Sequence, residues 1–510
     1  MNNEKSQLKA GVILNYINIG LGNLIPIFYT PVMLNLLGQS EYGLYKLSSS
    51  VTSYLSLISL GIGTAVTRYL IKYRIQGEKE KEEQILGLFM LIFRVIAIAA
   101  FLIGIILIFN LKIWYAKSLS DSELSKMQIL VFVMVCNMSI NFLLSPYISV
   151  VTAHEKFIFV QSMNIILTCI APIINLIVLY MGFASVGMAV SSLAVNVLVQ
   201  MIYLFFVRYE MQIKAKYKNV PIYLLKEILG FSFWVFVSNV VGQLYNTTDS
   251  VMIGAVPALA TKGTAVYNIG IVFVNIVGAM STGLSGVLAP KTNRMVFDGQ
   301  NESQLTDFAI QIGRLQAYIV MLFSTGFIAF GKPFIYFYAG KEYMNAYIVA
   351  ILIMLPNIIP PVQNIFYNII VAQNRHKFRS LVYLGIAILN VIGTWLLLKP
   401  LGIIGAALMS GVALFIGAGI IMNIYYWKKI HMDIPLFWKK VGKIFICPSI
   451  MCVIVLGLSK VINLYKVSVM LSGIVIYTII FLVFNWKFIM NDFEKELIVE
   501  PIKKIMRMLK

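Results

Sequence analysis

Residues Ile85–Phe109 read ILGLFMLIFRVIAIAAFLIGIILIF, and the run holds one charged residue, Arg94. A bilayer core is about 30 Å thick, and a helix needs roughly 20 apolar residues to cross it. The run is therefore long enough to span. Reading outward in both directions gives about fourteen blocks of the same kind. They lie near 11–37, 42–70, 85–109, 127–152, 157–182, 184–207, 227–255, 264–289, 309–331, 345–371, 380–398, 402–426, 441–460 and 466–487. The expected fold class is an all-α polytopic membrane protein with about 14 transmembrane helices. The first block is too long for the apolar core of a secretory signal and reads as the first span.

Composition agrees with this reading. The chain is 59% hydrophobic and 12% charged, where a soluble chain carries about 25% charged residues. Mean hydropathy is +0.85. The formal net charge of +20 points to nucleic acid only until its placement is considered. Basic residues fill alternate loops: Lys72, Arg74, Lys79 and Lys81; Arg208, Lys214, Lys216 and Lys218; Lys291 and Arg294; Arg375, Lys377 and Arg379; Lys428, Lys429, Lys439 and Lys440. The intervening loops carry few. This is the positive-inside pattern, and it places both termini in the cytoplasm with no call for nucleic acid. The tail from Asn491 to Lys510 fits either an amphipathic helix on the anionic inner leaflet or a solvated end.

An internal repeat orders the spans. Tyr45 and Gly61 in span 2 are spaced like Tyr267 and Gly283 in span 8. Ala153 to Phe157 after span 4 matches Ala372 to Phe378 after span 10, and Asn175 matches Asn390. The offsets are all about 220 residues, six spans apart, so both halves share one orientation. The expected organisation is an N-terminal six-helix lobe over 1–207 and a second over 208–426. Residues 427–510 add two helices and a basic cytoplasmic tail. Such parallel halves form two pseudo-symmetric six-helix lobes around a central cavity.

Helical phase picks the lining. On span 2, Lys46, Ser49, Ser53, Ser56, Gly63, Thr64, Thr67 and Arg68 share a stripe, opposite Leu47, Val51, Leu55, Ile58 and Ile62. Asn15 and Asn18 align on span 1. Ser232, Asn239, Gln243 and Asn246 align on span 7, with Asp249 at the edge, and Asn268 and Asn275 align on span 8. A polar stripe on a transmembrane helix must face protein or water. The competing reading is helix–helix adhesion, but stripes on four helices in symmetric positions favour a wet cavity. Lys46, Arg68, Asn15, Asn18, Ser53, Asn239, Gln243, Asn246, Asn268 and Asn275 are therefore the candidate substrate-binding residues. Asp249 is a candidate coupling site or ion-pair partner of Lys46. Arg94 reads as an ion-paired or snorkelling residue, and Arg314 as interfacial.

Other chemistry is poorly represented. Cys136, Cys169, Cys447 and Cys452 all lie in apolar blocks without metal or disulfide spacing. Gly326 to Lys332 matches G-x-x-x-x-G-K, yet Pro333 replaces the magnesium-binding hydroxyl residue, and the segment closes a span. His154, His376 and His431 are scattered. No catalytic pair, metal site or cofactor is expected.

Leu37-Gly38, Glu41-Tyr42-Gly43-Leu44-Tyr45, Ser59-Leu60-Gly61-Ile62-Gly63 and Thr67-Arg68-Tyr69 together resemble the opening of bacterial polysaccharide transporters. These are the Wzx-type lipid-linked oligosaccharide flippases of the MOP exporter superfamily. Leu389-Asn390 and Leu401-Gly402-Ile403-Ile404-Gly405-Ala406-Ala407 are similar to the second half of that family. The resemblance implies a flippase in the bacterial cytoplasmic membrane, with twelve core helices, two extra C-terminal helices and a cationic cavity. It implies export of undecaprenyl-diphosphate-linked repeat units, with a polysaccharide polymerase as partner and membrane lipids around it. Proton or sodium coupling stays open. The alternatives are a drug/cation antiporter of the same superfamily, a peptidoglycan-precursor flippase and, from another class, a membrane-embedded polymerase. Span 1 carries asparagines where precursor flippases carry arginines, and no outside loop is large enough for a polymerase.

Overall fold

The computed structural model describes residues 2–218, 221–373, 375, 377–497 and 499–500. Among these the chain is helical and contains no strand. Helices satisfy their own backbone groups, which hydrocarbon cannot do for them. Among the described residues ten helices are long and apolar enough to cross a membrane alone, and counting each of four bent pairs as one span gives up to fourteen.

Spans 1 to 7 run over Ile13–Leu37, Gln39–Ser59 with Ile62–Ile75, Lys79–Tyr115, Asp121–Ala153, Phe157–Tyr180, Ala184–Glu210, and Ile222–Gly230 with Val235–Asn246. Spans 8 to 14 run over Ala260–Ala279, Glu302–Ala339, Lys341–Met354 with Pro356–Val362, Lys377–Leu401, Ile403–Lys428, Ile434–Val441 with Lys443–Leu458, and Val467–Ile489. The helix of span 8 continues to Phe297. The Gly326–Lys332 segment is helical throughout, within span 9.

Contacts divide the chain into two compact units. The first comprises Met1–Asn268 and Leu398–Ile403, and the second Ile269–Leu397 and Ile404–Lys510. The division falls inside span 8, later than the six-helix boundary at 207/208. The reason is local. Span 7 and the start of span 8 lie directly against span 2, so they belong by contact to the first unit.

In the first unit the apolar face of span 2 carries the packing. Leu47, Val51 and Leu55 are buried against Tyr115, Met127 and Val131 from spans 3 and 4. Close approach depends on small residues, as expected where lipid is as apolar as the interface. A Cβ on Gly43 would lie 1.8 Å from the Thr261 carbonyl oxygen, and one on Gly87 1.9 Å from that of Lys216. The second contact pins the connection between spans 6 and 7. There the Lys216 N–H donates to the Glu83 carbonyl at 2.9 Å, and its ammonium sits 3.2 Å from the Glu83 carboxylate. That hydrogen-bonded carboxylate raises the Lys216 ammonium above the ordinary lysine range. Arg94 lies fifteen residues into the helix that begins at Lys79, so it reaches this same loop. Its guanidinium donates to the Tyr217 hydroxyl at 2.8 Å, and among the described residues no acid pairs with it.

The second unit is held partly by spans 13 and 14. Tyr477 of span 14 donates to Thr325 of span 9 at 2.7 Å and packs edge-on against Phe330. Arg314, read as interfacial from its place near the end of span 9, is buried against protein. Its Nε and Nη2 atoms grip the Glu494 carboxylate at 2.5 and 2.9 Å, and Glu494 is itself only 1% exposed. The pair ties the start of the tail to span 9. Beyond residue 500 the tail lies outside the described residues, as do positions 374 and 376 of the second repeat segment.

One repeat pair is visible in side-chain chemistry. Asn175 Oδ1 accepts from Ser191 at 2.6 Å, joining spans 5 and 6 in the first unit. Asn390 Oδ1 accepts from Ser410 at 3.1 Å, joining spans 11 and 12 in the second. Both asparagines are buried. The Tyr45 and Gly61 match to Tyr267 and Gly283 does not extend to backbone shape. Gly61 sits at a break, whereas Gly283 lies within continuous helix.

Candidate functional site

Span 2 is the centre of the candidate site, and its sequence explains its shape. Ser48, Thr52, Ser53, Ser59 and Thr64 each donate a hydroxyl hydrogen bond to a carbonyl three or four residues back. Such bonds compete with the helical ladder and bend it. Residues Tyr54–Ser59 tighten into a 3₁₀ turn, and the helix breaks at Leu60 and Gly61, both with positive φ. The two halves meet at a 40° bend. Gly61 is required twice. Its φ is +70°, and a Cβ there would lie 2.8 Å from the Val235 side chain of span 7.

The stripe expected on span 2 is exposed or half-buried, and the opposite face is packed. Ser49, Gly63, Thr64 and Arg68 are exposed, and Lys46, Ser53, Ser56 and Thr67 are half-buried. The Lys46 ammonium lies 5.6 Å from the centre of the Tyr42 ring.

Span 7 lies along span 2 and divides the polar residues by role. Gln243 Nε2 donates to the Ser53 carbonyl at 2.5 Å and to Ser56 Oγ at 3.1 Å. The Tyr54 and Thr248 hydroxyls are 2.5 Å apart. Ser53, Ser56 and Gln243 thus join the helices. Asn239, Asn246 and, on span 8 in the second unit, Asn275 remain exposed. Asn268 donates to Ser250 Oγ at 3.1 Å and to its own helix at the Thr264 carbonyl. On span 1, Asn15 is exposed, and half-buried Asn18 accepts from Thr168 of span 5 at 2.9 Å. Asp249 is 1% exposed and accepts from the Tyr267 hydroxyl at 2.5 Å.

A polar network closes the end of the first unit where spans 1 and 2 meet. Glu123 Oε1 accepts from Ser40 at 2.7 Å and from Thr261 at 3.3 Å. Lys126 pairs with Glu41 at 2.8 Å, and Glu41 also accepts from the Ser185 hydroxyl at 2.5 Å. Six residues from four stretches of chain are joined here. None of these partnerships follows from helical phase on a single span.

Two polar cavities draw on residues outside the stripes as well. One, of about 250 Å³, lies within the first unit and is lined by Tyr45, Ser49, Ser53, Asn137, Asn141 and Ser192. Behind it Asn196 donates to Asn137 and Gln200 to Asn141, each at 2.6 Å. The signal was present in the sequence: amides four residues apart on both span 4 and span 6 form a ladder across the pair. The other cavity, in the second unit, holds Arg379, one of the basic loop residues that make up the charge bias.

The geometry can be set beside known proteins. The family model described as "Polysaccharide biosynthesis protein" matches residues 8–290, more than half of the chain. No curated protein matches the chain in sequence. Among solved structures, the chain is similar to a lipid II flippase MurJ in an inward closed conformation, with a TM-score of 0.68 and 16% identity over 94% of this chain and 99% of that one. It is also similar to an inward-facing multidrug resistance MATE family transporter of the MOP superfamily, with a TM-score of 0.62 and 12% identity over 83% and 95%. A MOP superfamily transporter from Pyrococcus furiosus gives a TM-score of 0.54 and 13% identity over 82% and 96%. At these identities the likeness is one of fold.

Proposed function

Because the chain belongs to the polysaccharide biosynthesis protein family, we propose that it is a flippase for undecaprenyl-diphosphate-linked oligosaccharide repeat units. It moves them from the inner to the outer leaflet of the bacterial cytoplasmic membrane by alternating access, with both termini in the cytoplasm. The observation that carries this reading is the divided polar face of spans 2 and 7. Exposed Arg68, Ser49, Asn239 and Asn246 share it with the contacts of Ser53, Ser56 and Gln243.

The physics suits the substrate. Sugars and diphosphate lose water in hydrocarbon and need replacement hydrogen bonds. Exposed asparagines and serines supply donors and acceptors for hydroxyls, and Arg68 offers a fork for phosphate oxygens. The lipid tail stays in the bilayer. The interior-negative potential favours outward movement of anionic groups by about 2.3 kcal/mol per charge per 100 mV. Transport therefore needs no nucleotide and no chemical step on the substrate. Asp249, held by Tyr267, is the residue through which a proton or sodium ion would couple.

The direct cellular test is depletion. Without the protein, completed lipid-linked repeat units accumulate on the cytoplasmic face and polymer at the cell surface falls. Loss of polymer with no accumulation of completed units contradicts the reading and points to an earlier biosynthetic step.

A further inference from the structure

The second unit contains a cavity of about 240 Å³ beside the break in span 10, and its lining includes Asn357, Gln363, Asn364, Tyr367, Arg379 and Tyr383. Span 10 bends by 49° at Pro356, and Pro360 and Pro361 follow in its second half. Proline removes ladder donors and clashes with the preceding turn, so a break is expected there. The broken span leaves room beside the first turns of span 11, where Arg379 sits.

Arg379 is held in an unusual way. Its guanidinium carbon lies 4.0 Å from the centre of the Tyr367 ring and 4.2 Å from that of Tyr383. Among the described residues it forms no ion pair. Aromatic contacts attract the cation electrostatically and stack on the guanidinium faces. They leave the N–H groups around its edge as the place for a ligand, in the fork geometry that matches phosphate oxygens.

A second residue points to the same ligand. Gln363 is 4% exposed. Its Nε2 donates to the Ala418 carbonyl at 2.9 Å, within the π-helical turn Phe415–Ile421 of span 12. That bond fixes the amide, and Gln363 Oε1 has no hydrogen-bond partner. A buried acceptor without a donor is costly. The cavity thus combines cationic donors lacking an anion with a fixed acceptor lacking a hydroxyl.

We propose that this cavity is a binding subsite for a glycosyl phosphate ester. The Arg379 edge grips phosphate oxygens, Gln363 Oε1 accepts a hydroxyl of the adjoining sugar, and Tyr367 and Tyr383 position the guanidinium. The identity of the lipid carrier rests on the proposed function, whereas the phosphate-and-hydroxyl chemistry does not. A phospholipid headgroup shares the phosphate, so the test must separate the two sources.

The test uses the full chain in phosphatidylcholine nanodiscs, with binding read by native mass spectrometry. The probes are undecaprenyl-diphosphate-linked N-acetylglucosamine, undecaprenyl diphosphate and phosphatidylglycerol. Wild type should prefer the glycosylated diphosphate, and excess phosphatidylglycerol should not displace it. Arg379→Gln should weaken binding about tenfold or more, and Arg379→Lys by less, since it keeps charge but loses the fork. Gln363→Leu should weaken the glycosylated probe and leave undecaprenyl diphosphate unchanged. Tyr367→Leu with Tyr383→Leu keeps the charge and should still weaken binding; monodispersity and helix content report folding for every variant. Equal binding by wild type and Arg379→Gln overturns the subsite, as does equal competition by phosphatidylglycerol. If wild type also moves lipid-linked oligosaccharide across a bilayer, the functional reading survives that loss. If wild type neither binds the probes nor moves the oligosaccharide, both readings fall.

Discussion

Arg68 is exposed on the second half of span 2, beyond the break. A charge-assisted hydrogen bond to phosphate contributes about 1.5–3 kcal/mol, so Arg68→Ala should slow transport roughly tenfold or more. Arg68→Lys should recover part of the rate, because an ammonium supplies charge without a planar fork. Normal polymer export by a normally expressed alanine variant would remove Arg68 from the substrate path. At this scale the sequence was legible where one helix sufficed. The phase of span 2 separated Ser49, Thr64 and Arg68 from buried Leu47, Val51 and Leu55. It was not legible where a partner lay outside the same helix. Glu494 for Arg314, Tyr217 for Arg94 and Tyr267 for Asp249 are tertiary choices that hydropathy does not encode.

Span 2 also shows what a run of hydropathy leaves out at the scale of an element. Residues 42–70 read as one continuous span, because Leu60 and Gly61 do not interrupt the apolar pattern. Their positive φ angles break the helix, and the serine and threonine back-bonds prepare the bend. Gly61→Ala would place a side chain in the left-handed region and press it against Val235. It should lower stability by about 1–2 kcal/mol from the backbone conformation alone. Gly63→Ala is the control, since nothing lies near its Cβ position. Thermal unfolding in detergent checks both. Equal midpoints for Gly61→Ala and wild type would show that the break is not fixed by glycine. The proline-associated bend in span 10 had a visible cause in Pro356, Pro360 and Pro361, although its consequence for Arg379 required the neighbouring span.

For the molecule as a whole, the sequence carried the helical fold and the number of spans because bilayer thickness sets a length that composition reveals directly. The repeat was legible through Asn175 and Asn390, whose serine partners recur in both units. The division by contact was not, because it depends on how closely span 7 lies on span 2. The basic bias of the loops gives the expected orientation. A cysteine replacing exposed Lys218, in the connection between spans 6 and 7, should react with an impermeant thiol reagent only from the cytoplasmic side. Labelling from outside in intact cells would invert the topology. The defining activity is transbilayer movement itself. It is tested most directly by reconstituting the purified chain in liposomes loaded with undecaprenyl-diphosphate-linked oligosaccharide and timing the loss of sugar from one leaflet with an impermeant glycosidase. Rapid transfer is expected in protein-containing vesicles, faster under an inside-negative potential and strongly slowed by Arg68→Ala. Transfer no faster than in empty liposomes, with folded protein present, would contradict it.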